Sequence, residues 1–346
     1  MIKVLIVDDS AIVRQVLEKE LSRSEDLKIV GSAPDPYVAR DMIVERKPDV
    51  VLLDIEMPRM DGLTFLKKLM RYHPIPVIIV SSLTKEGADL AVDAVNAGAV
   101  EVVSKPGSSF SVGELVPSLV EKIRGAARVD MNTYLRQPAR ESQRITTELA
   151  QRKITNKVIA IGASTGGTQA IDALLQKLPA HVPGILIVQH MPEQFTTSFA
   201  ARLNERSALE VREARNNDSV VPGVALIAPG NYHMILRRSG ARFYVTIKQG
   251  PLVCRQRPSA DVLFKSVAQT SGKNAAGALL TGMGKDGAEG MLQMRQAESR
   301  TIAQDEKSSL VFGMPQEAIN LGAAESVLPL GSIPGALVEW ADSQGT

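Results

Sequence analysis

The sequence of 346 residues is poor in the residue types that mark several classes of protein. It contains one cysteine, Cys254, which excludes a disulfide framework within the chain and disfavours a thiolate metal site. Aromatic residues make up 4% and the formal net charge is +2, so neither base stacking nor a basic surface indicates a nucleic-acid partner. No apolar run approaches the roughly 20 residues of a transmembrane helix. These deficits predict a soluble, cytoplasmic protein that does not insert into membranes.

What the chain does contain is two stretches in which short apolar runs alternate with amphipathic segments. The first, residues 1–124, has five such runs and predicts a parallel sheet covered by helices on both faces. The second, residues 157–346, predicts a doubly wound, mostly parallel α/β domain with a small antiparallel hairpin at "MILRRSGARFYVTIKQG". Residues 125–156 lack a sustained apolar period and are interpreted as an interdomain linker.

Polar residues with related chemistry follow four apolar runs of the first stretch. Asp8 and Asp9 end the first run, Asp54 the third, Ser81 the fourth and Lys105 the fifth. The carboxyl ends of parallel strands meet at one sheet edge, so these side chains are expected to lie together. Three carboxylates at one place repel one another unless a cation joins them, and Mg²⁺ suits an oxygen-only site that leaves room for a phosphoryl group.

The segments "VLIVDDS", "LLDIEMPRMDG", "IIVSS" and "VVSKPG" resemble a two-component receiver domain, a flavodoxin-like (βα)5 fold, over residues 1–124. The resemblance implies a histidine kinase as phosphodonor. Two α/β domains joined by a linker suggest, as a hypothesis, that the unphosphorylated first domain covers the site of the second and that phosphorylation shifts this equilibrium. It assigns Asp54 as phosphoacceptor, Asp8, Asp9 and Asp54 as Mg²⁺ ligands, and Ser81 and Lys105 as the residues that sense the phosphate. One departure is Val102, where many receivers carry an aromatic residue.

In the second stretch, Ser164 lies inside the glycine-rich segment "KVIAIGASTGGTQA". Residues 162–166 fit G-x-S-x-G, a strand–turn–helix elbow that exposes a serine hydroxyl above a sheet. Helix N-terminal amides follow directly, and such amides stabilise an oxyanion or bind a phosphate. The motif alone therefore leaves two readings open, a nucleophilic serine and a phosphate-binding loop.

A nucleophilic serine needs a base, and the chain has four histidines. His190 closes the apolar run "GILIVQH", the run that follows the helix after Ser164. Consecutive strands in such folds usually lie side by side, so His190 is expected beside Ser164 and is the predicted base. His233, which follows another strand-end loop, is the alternative.

A base in turn needs a group that orients it. Asp286 lies in the glycine-rich loop after the apolar run "AAGALL", and a carboxylate there would accept a hydrogen bond from His190. Asp261 and Asp218 are weaker rivals, because they precede a helix and a strand rather than follow a strand.

The segments "IGASTGGTQA", "QHMP", "YHM", "RPSADVLF", "TGMGKDG" and "VFGMPQEAI" resemble the chemotaxis receptor methylesterases. The resemblance implies hydrolysis of γ-glutamyl methyl esters and deamidation of certain glutamines on chemoreceptors, with no cofactor for the ester reaction. It assigns Ser164 as nucleophile, His190 as base, Asp286 as orienter, the Met283 amide to the oxyanion hole and Thr165 as support for His190.

Two residues depart from that family pattern without touching the predicted catalytic residues. Gln169 lies where Glu is frequent, and Glu298 lies where Gly is common. Three rival output functions remain: nucleotide binding at residues 162–167, DNA binding and scaffolding. Nucleotide binding predicts that the protein tolerates His190→Ala. DNA binding needs a recognition helix, and the sequence after residue 158 shows no pattern of one. A scaffolding role predicts that changes at the three predicted catalytic residues have no effect.

Overall fold

A computed structural model of the chain describes residues 1–58, 60–82, 84–105, 112–135 and 156–343. It divides the chain into two compact units, Met1–Ala139 and Arg140–Thr346. Most of the predicted linker, from residue 136 to residue 155, lies outside the described residues, and the domain boundaries drawn from the sequence stay a prediction. Among the helices described, none is both long and apolar enough to cross a membrane.

The first unit alternates strands and helices as predicted. Its strands are β1 (Ile2–Val7), β2 (Leu27–Ala33), β3 (Val50–Asp54), β4 (Val77–Ser81) and β5 (Glu101–Ser104). Its helices are α1 (Ala11–Leu21), α2 (Pro36–Arg46), α3 (Gly62–Tyr72), α4 (Lys85–Asn96), α5 (Val112–Ala126) and α6 (Met131–Leu135). The strands pair in parallel in the order β2-β1-β3-β4-β5. The flavodoxin-like (βα)5 prediction is therefore confirmed.

Local chemistry starts the first four helices. The N-cap side chains Ser10, Asp35, Asp61 and Thr84 each accept a hydrogen bond from an amide in the first turn of α1, α2, α3 and α4. Each helix consequently begins a few residues after the strand before it. The strand ends are left as short loops at one edge of the sheet.

The first residues of the predicted linker pack on the first unit. The helix α5 extends to Ala126, and the side chains of Met131 and Tyr134 in α6 are buried. The Tyr134 hydroxyl donates to the Ala99 carbonyl at 2.9 Å. The chain therefore packs against the first unit as far as α6, which ends at residue 135.

The second unit contains nine strands and six helices within the part of the chain described. The strands are β6 (Val158–Ala163), β7 (Gly184–Gln189), β8 (Glu210–Glu213), β9 (Val224–Ile227), β10 (His233–Ser239), β11 (Arg242–Lys248), β12 (Ala275–Leu279), β13 (Arg300–Gln304) and β14 (Ser326–Leu328). The helices are α7 (Gly167–Leu175), α8 (Phe195–Arg206), α9 (Ala260–Ser271), α10 (Ala288–Gln296), α11 (Met314–Asn320) and α12 (Ile333–Asp342).

Seven of these strands form one parallel sheet in the order β14-β13-β12-β6-β7-β9-β8. The other two, β10 and β11, pair antiparallel in a separate hairpin, as the sequence predicts. The chain first adds strands on one side of β6 and then returns to add β12, β13 and β14 on the other. The strand order reverses between β6 and β12, which is where ligands bind in open α/β sheets.

Candidate active site

Ser164 lies in a tight turn between β6 and α7. Its amide donates to the Thr281 carbonyl at 3.0 Å, and its carbonyl accepts from the Gly167 amide at 2.6 Å and from Gln189 Nε2 at 2.9 Å. Gly166 completes the turn with a φ of 79°, a region that favours glycine. These bonds fix the backbone on both sides of the serine, as the G-x-S-x-G pattern predicts.

His190 follows β7 and lies beside Ser164 in the sheet. Ala163 pairs with Gln189 across β6 and β7, and the His190 amide donates to the Ala163 carbonyl at 3.1 Å. The next residues along the two strands are Ser164 and His190, so the register places them across from each other. The predicted adjacency of these strands is confirmed.

Asp286 lies in the loop after β12 and is joined directly to His190. The distance from His190 Nε2 to Asp286 Oδ2 is 2.7 Å, and both side chains are buried. The other ring nitrogen, Nδ1, is also buried and has no hydrogen-bond partner in the part of the chain that the structure describes. His190 is thus held through one nitrogen and leaves the other available.

The charge state of Asp286 decides which nitrogen of His190 carries the proton. Burial alone would raise the pKa of Asp286, but hydrogen bonds from His190, Ser259 and the Ala260 amide outweigh it and hold that pKa below its usual range. An ionised carboxylate only accepts, so Nε2 must be the protonated nitrogen. In neutral imidazole, Nδ1 then carries a lone pair and can act as a base.

The Ser164 hydroxyl itself makes no hydrogen bond to His190 or to any other residue in the described ranges, and the residue is 5% exposed. Serine–histidine hydrogen bonds are often long or absent in free enzymes and tighten when substrate binds. The structure brings Ser164, His190 and Asp286 to the loops that follow three neighbouring strands, β6, β7 and β12, and a hydrogen bond between Ser164 and His190 stays a prediction.

The loop after β12 approaches Ser164 closely. A Cβ at Gly282 would lie 2.7 Å from the Ser164 Cβ and 2.3 Å from the Met314 sulfur, so only glycine fits there. The next amide, that of Met283, makes no hydrogen bond within the described residues, which suits the oxyanion role predicted for it. Thr165 is buried beside Ser164, and its carbonyl accepts from the Thr281 hydroxyl at 3.0 Å; its support of His190 stays a prediction.

The rival histidine and carboxylates have structural partners. His233 accepts from the Ser259 amide through Nδ1 at 3.3 Å and pairs through Nε2 with the Pro251 carbonyl at 2.9 Å. Asp218 pairs with Arg212 in an ion pair. Both ring nitrogens of His233 and the carboxylate of Asp218 thus have partners within the described residues, unlike His190 Nδ1.

Asp261 and Cys254 are close to Asp286 but do not replace it. Asp261 accepts from the Gly290 amide at 2.6 Å, which ties α9 to α10. Burial, together with the nearby charges of Asp286 and Asp261, raises the pKa of the Cys254 thiol to about 11. A thiol of that pKa is protonated at neutral pH and is a poor nucleophile.

Sequence reasoning missed the residues that hold the site together. The Ser259 hydroxyl donates to Asp286, and the Thr281 hydroxyl donates to the Thr165 carbonyl. Gln189 donates to the Ser164 carbonyl. Ser259 does have a detectable signal, because it directly precedes an amphipathic helix and is a preferred N-cap residue. Nothing in the pattern says that its hydroxyl also reaches a loop elsewhere in the chain.

The acidic residues of the first unit converge as predicted. Oxygen atoms of Asp8, Asp9 and Asp54 lie within 4.8 Å of one another. Lys105 Nζ lies 2.7 Å from Asp54 Oδ2 and 3.0 Å from Asp8 Oδ2. Burial raises the pKa of Asp54 to about 6, against the opposing effect of Lys105.

These residues fit a magnesium ion. Asp8 Oδ2 is buried, and the group of opposite charge that faces it is the Lys105 ammonium at 3.0 Å. An oxygen of this kind beside two further carboxylates matches the hard oxygen ligands that Mg²⁺ prefers. Ser81, by contrast, donates its hydroxyl to the Gly87 carbonyl in α4 at 3.2 Å.

The fold and the two sites are those of a response regulator in which a receiver domain is followed by an α/β enzyme domain. Residues 4–116 match the family model described as "Response regulator receiver domain", and residues 159–337 match the one described as "CheB methylesterase". The chain belongs to the CheB methylesterase family.

Curated relatives match over almost their whole length. A "Protein-glutamate methylesterase/protein-glutamine glutaminase 2" from Syntrophus aciditrophicus (strain SB) is 58% identical over 97% of this chain and 98% of its own. A "Protein-glutamate methylesterase/protein-glutamine glutaminase 4" from Anaeromyxobacter dehalogenans (strain 2CP-C) is 54% identical over 99% and 96%. The crystal structure of the Thermotoga maritima CheB methylesterase catalytic domain is 37% identical, covers 53% of this chain and 97% of its own, and has a TM-score of 0.52.

Proposed function

We propose that the protein is a phosphorylation-activated serine hydrolase that demethylates γ-glutamyl methyl esters on chemoreceptors and deamidates specific receptor glutamines. The observation that supports the chemistry most directly is the His190–Asp286 pair, which leaves Nδ1 without a partner among the described residues, on a residue that lies across from Ser164 in the sheet register. The names of the full-length relatives support the substrate class. A cytoplasmic location follows from the same proposal, because a kinase that uses ATP would supply the phosphoryl group.

In the acylation step, Ser164 Oγ attacks the ester carbonyl carbon and its proton passes to His190 Nδ1. The imidazolium that forms is stabilised through Nε2 by the charge on Asp286. The carbonyl oxygen becomes an oxyanion, which accepts a hydrogen bond from the Met283 amide. Thr165, next to the nucleophile, would help to hold the ring of His190 in place.

The intermediate then collapses. The bond to the methoxy oxygen breaks, His190 returns its proton to that oxygen, and methanol leaves an acyl group on Ser164. A water molecule attacks the acyl carbon while His190 takes its proton, and breakdown of the second intermediate returns that proton to Ser164 Oγ and leaves a glutamate side chain. With a glutamine substrate, the same steps release ammonia in place of methanol.

In the receiver, Asp54 would accept the phosphoryl group from a chemotaxis histidine kinase. Asp8, Asp9 and Asp54 would hold Mg²⁺, which neutralises charge on the carboxylates and on the transferred group. Lys105 already lies 2.7 Å from Asp54 and is placed to pair with a phosphoryl oxygen. Ser81 would turn from the Gly87 carbonyl toward the same group.

The test of the chemistry is methanol release from membranes that contain methylated chemoreceptors. Ser164→Ala is expected to lower turnover by about 10⁴-fold or more, because the residual rate lacks the covalent step. The matched control is Ser299→Ala, since Ser299 precedes β13 at the opposite end of the sheet and donates to the Gly272 carbonyl. Near-normal methanol release by Ser164→Ala would contradict the proposal.

Regulation is tested separately with a small phosphodonor such as acetyl phosphate. Addition of the donor with Mg²⁺ is expected to raise the esterase rate of the full chain and to leave the rate of Asp54→Asn unchanged. Equal stimulation of both proteins would show that phosphorylation of Asp54 is not the activating event. The chemistry of Ser164 would stand in that case.

A further inference from the structure

The carboxylate of Asp286 accepts hydrogen bonds from four groups that lie outside its own loop. Oδ2 accepts from His190 Nε2 at 2.7 Å and from the Ala260 amide at 2.6 Å. Oδ1 accepts from the Ser259 hydroxyl at 2.6 Å and from the Asp261 amide at 3.1 Å. Three of the four donors therefore come from the N-terminal end of one helix, α9.

The loop that carries Asp286 has glycines on both sides of it. Gly284 and Gly287 flank it with φ angles of 87° and 90°, and a Cβ at Gly284 would meet nothing within 4 Å. A carboxylate on such a loop needs outside partners to keep one orientation. The start of α9 provides them and adds the positive end of the helix dipole, which favours the ionised form.

Among these donors, Ser259 is the one whose side chain is committed to the task. Its hydroxyl oxygen accepts from the Val262 amide at 3.4 Å as the N-cap of α9, so its proton is directed to Asp286. Its own amide donates to His233 Nδ1 at 3.3 Å, which anchors it from the hairpin side. Ser259 is fully buried, so water does not compete for the bond.

We propose that Ser259 is a positioning residue of the active site: its hydroxyl fixes the Asp286 carboxylate so that His190 keeps its proton on Nε2 and presents Nδ1 to Ser164. The kinetic consequence rests on the proposed function, whereas the geometry does not. Without the Ser259 hydroxyl, the Asp286 carboxylate is expected to rotate, and the imidazole of His190, which is bonded to that carboxylate, is expected to rotate as well.

The kinetic test uses variants that separate the bond to Asp286 from the helix cap. Ser259→Ala and Ser259→Gly both remove the donor, but glycine remains a good N-cap residue and preserves α9. Both are expected to lower kcat for methanol release by about 10- to 100-fold with KM unchanged, as for the loss of a hydrogen bond to a charged group. Ser259→Thr keeps the hydroxyl and is expected to restore most of the rate.

The matched control is Ser266→Ala on the same helix. Ser266 is also buried, accepts from the Leu236 amide at 2.9 Å and donates to the Leu263 carbonyl at 2.7 Å, but has no contact with Asp286. It is expected to lose stability and keep kcat. A kcat for Ser259→Gly within about twofold of the parent's, or an equal loss in Ser266→Ala, overturns the assignment.

A second readout does not depend on the substrate. The hydrogen-bonded proton on His190 Nε2 is expected to give a downfield proton resonance, identified by its disappearance in His190→Gln. The resonance is expected to move or broaden in Ser259→Gly and to be unchanged in Ser266→Ala; an unmoved resonance in Ser259→Gly refutes the inference. If the parent protein releases no methanol, the proposed function fails, and the resonance alone decides the role of Ser259.

Discussion

Replacement of Asp286 by asparagine isolates the charge of the orienting carboxylate. Asparagine keeps the shape of the side chain but offers one acceptor oxygen and one NH2 donor in place of two acceptors. Turned toward Oδ2, the NH2 group would face two N–H groups, His190 Nε2 at 2.7 Å and the Ala260 amide at 2.6 Å. Turned toward Oδ1, it would face the Asp261 amide at 3.1 Å and the Ser259 hydroxyl at 2.6 Å, which can rotate and accept instead. The second orientation is therefore favoured, and in it the amide oxygen still accepts from His190.

The expected loss of rate follows from that geometry. With the amide oxygen on His190 Nε2, the tautomer is kept but the imidazolium formed in the reaction loses its negative partner. Two unit charges about 4 Å apart interact by about 4 kcal/mol at an effective dielectric constant of about 20. Since about 1.4 kcal/mol is a factor of ten, Asp286→Asn should lower kcat by about 10³-fold. The other orientation also reverses the tautomer and brings the loss to about 10⁴-fold.

The assay is steady-state methanol release, with the free energy of unfolding measured by urea denaturation in parallel. Removal of the charge-assisted bonds is expected to cost about 1.5–3 kcal/mol of stability. The control is Asp305→Asn in the loop after β13, where the carboxylate accepts from the amide and the hydroxyl of Ser308 and, within the described residues, from no other group. A folded Asp286→Asn protein that retains kcat within about tenfold of the parent would refute the role of the charge.

Three further predictions concern stability. The pKa of Asp286 is lowered on folding, so its charge stabilises the fold above the ordinary pKa of 3.8, and this stabilisation is lost as pH falls through the pKa of the folded protein. Urea titrations should therefore show the free energies of unfolding of the parent and of Asp286→Asn converging in acid. Burial raises the pKa of Asp54 to about 6, so its charge destabilises the fold above that pH. At pH 8 without Mg²⁺, Asp54→Asn should therefore raise the free energy of unfolding by about 1–3 kcal/mol. An unchanged free energy of unfolding would contradict this effect of burial. Glu298 has a φ of 63° at the end of α10, so Glu298→Gly should raise the free energy of unfolding by about 0.5–1 kcal/mol, and Gly322→Ala, at the matching position after α11 with a φ of 68°, should lower it by a similar amount.

The sequence predicted the groups that end strands, because strand ends in a parallel sheet share one edge. Ser164 and His190 follow consecutive apolar runs, and their strands are neighbours in the structure. Asp286 was chosen because its loop follows the apolar run from Ala275; the sequence did not say where that run lies, and in the structure β12 pairs with β6 on the side away from β7. The same reasoning brought Asp54 and Lys105 together in the first unit.

The partners that orient these groups could not be predicted in the same way. Ser259 bonds to Asp286 across 27 positions of sequence, and no periodicity marks a contact between a helix cap and a distant loop. The choice of His190 Nε2 as the bonded nitrogen depends on the rotation of one ring. The sequence marked Glu298 only as a departure from a family pattern. The structure shows that Glu298 has a positive φ, a backbone conformation that is less stable for glutamate than for glycine.

The order of strands in the second unit has a consequence for the newly made chain. His190 and Asp286 are 96 positions apart, and the strands that precede them, β7 and β12, lie on opposite sides of β6. A nascent polypeptide that has emerged only as far as β9 contains the serine and the imidazole but has no acid to align them. The arrangement of serine, imidazole and carboxylate is thus complete only after β12 and the loop that follows it have been added to the sheet.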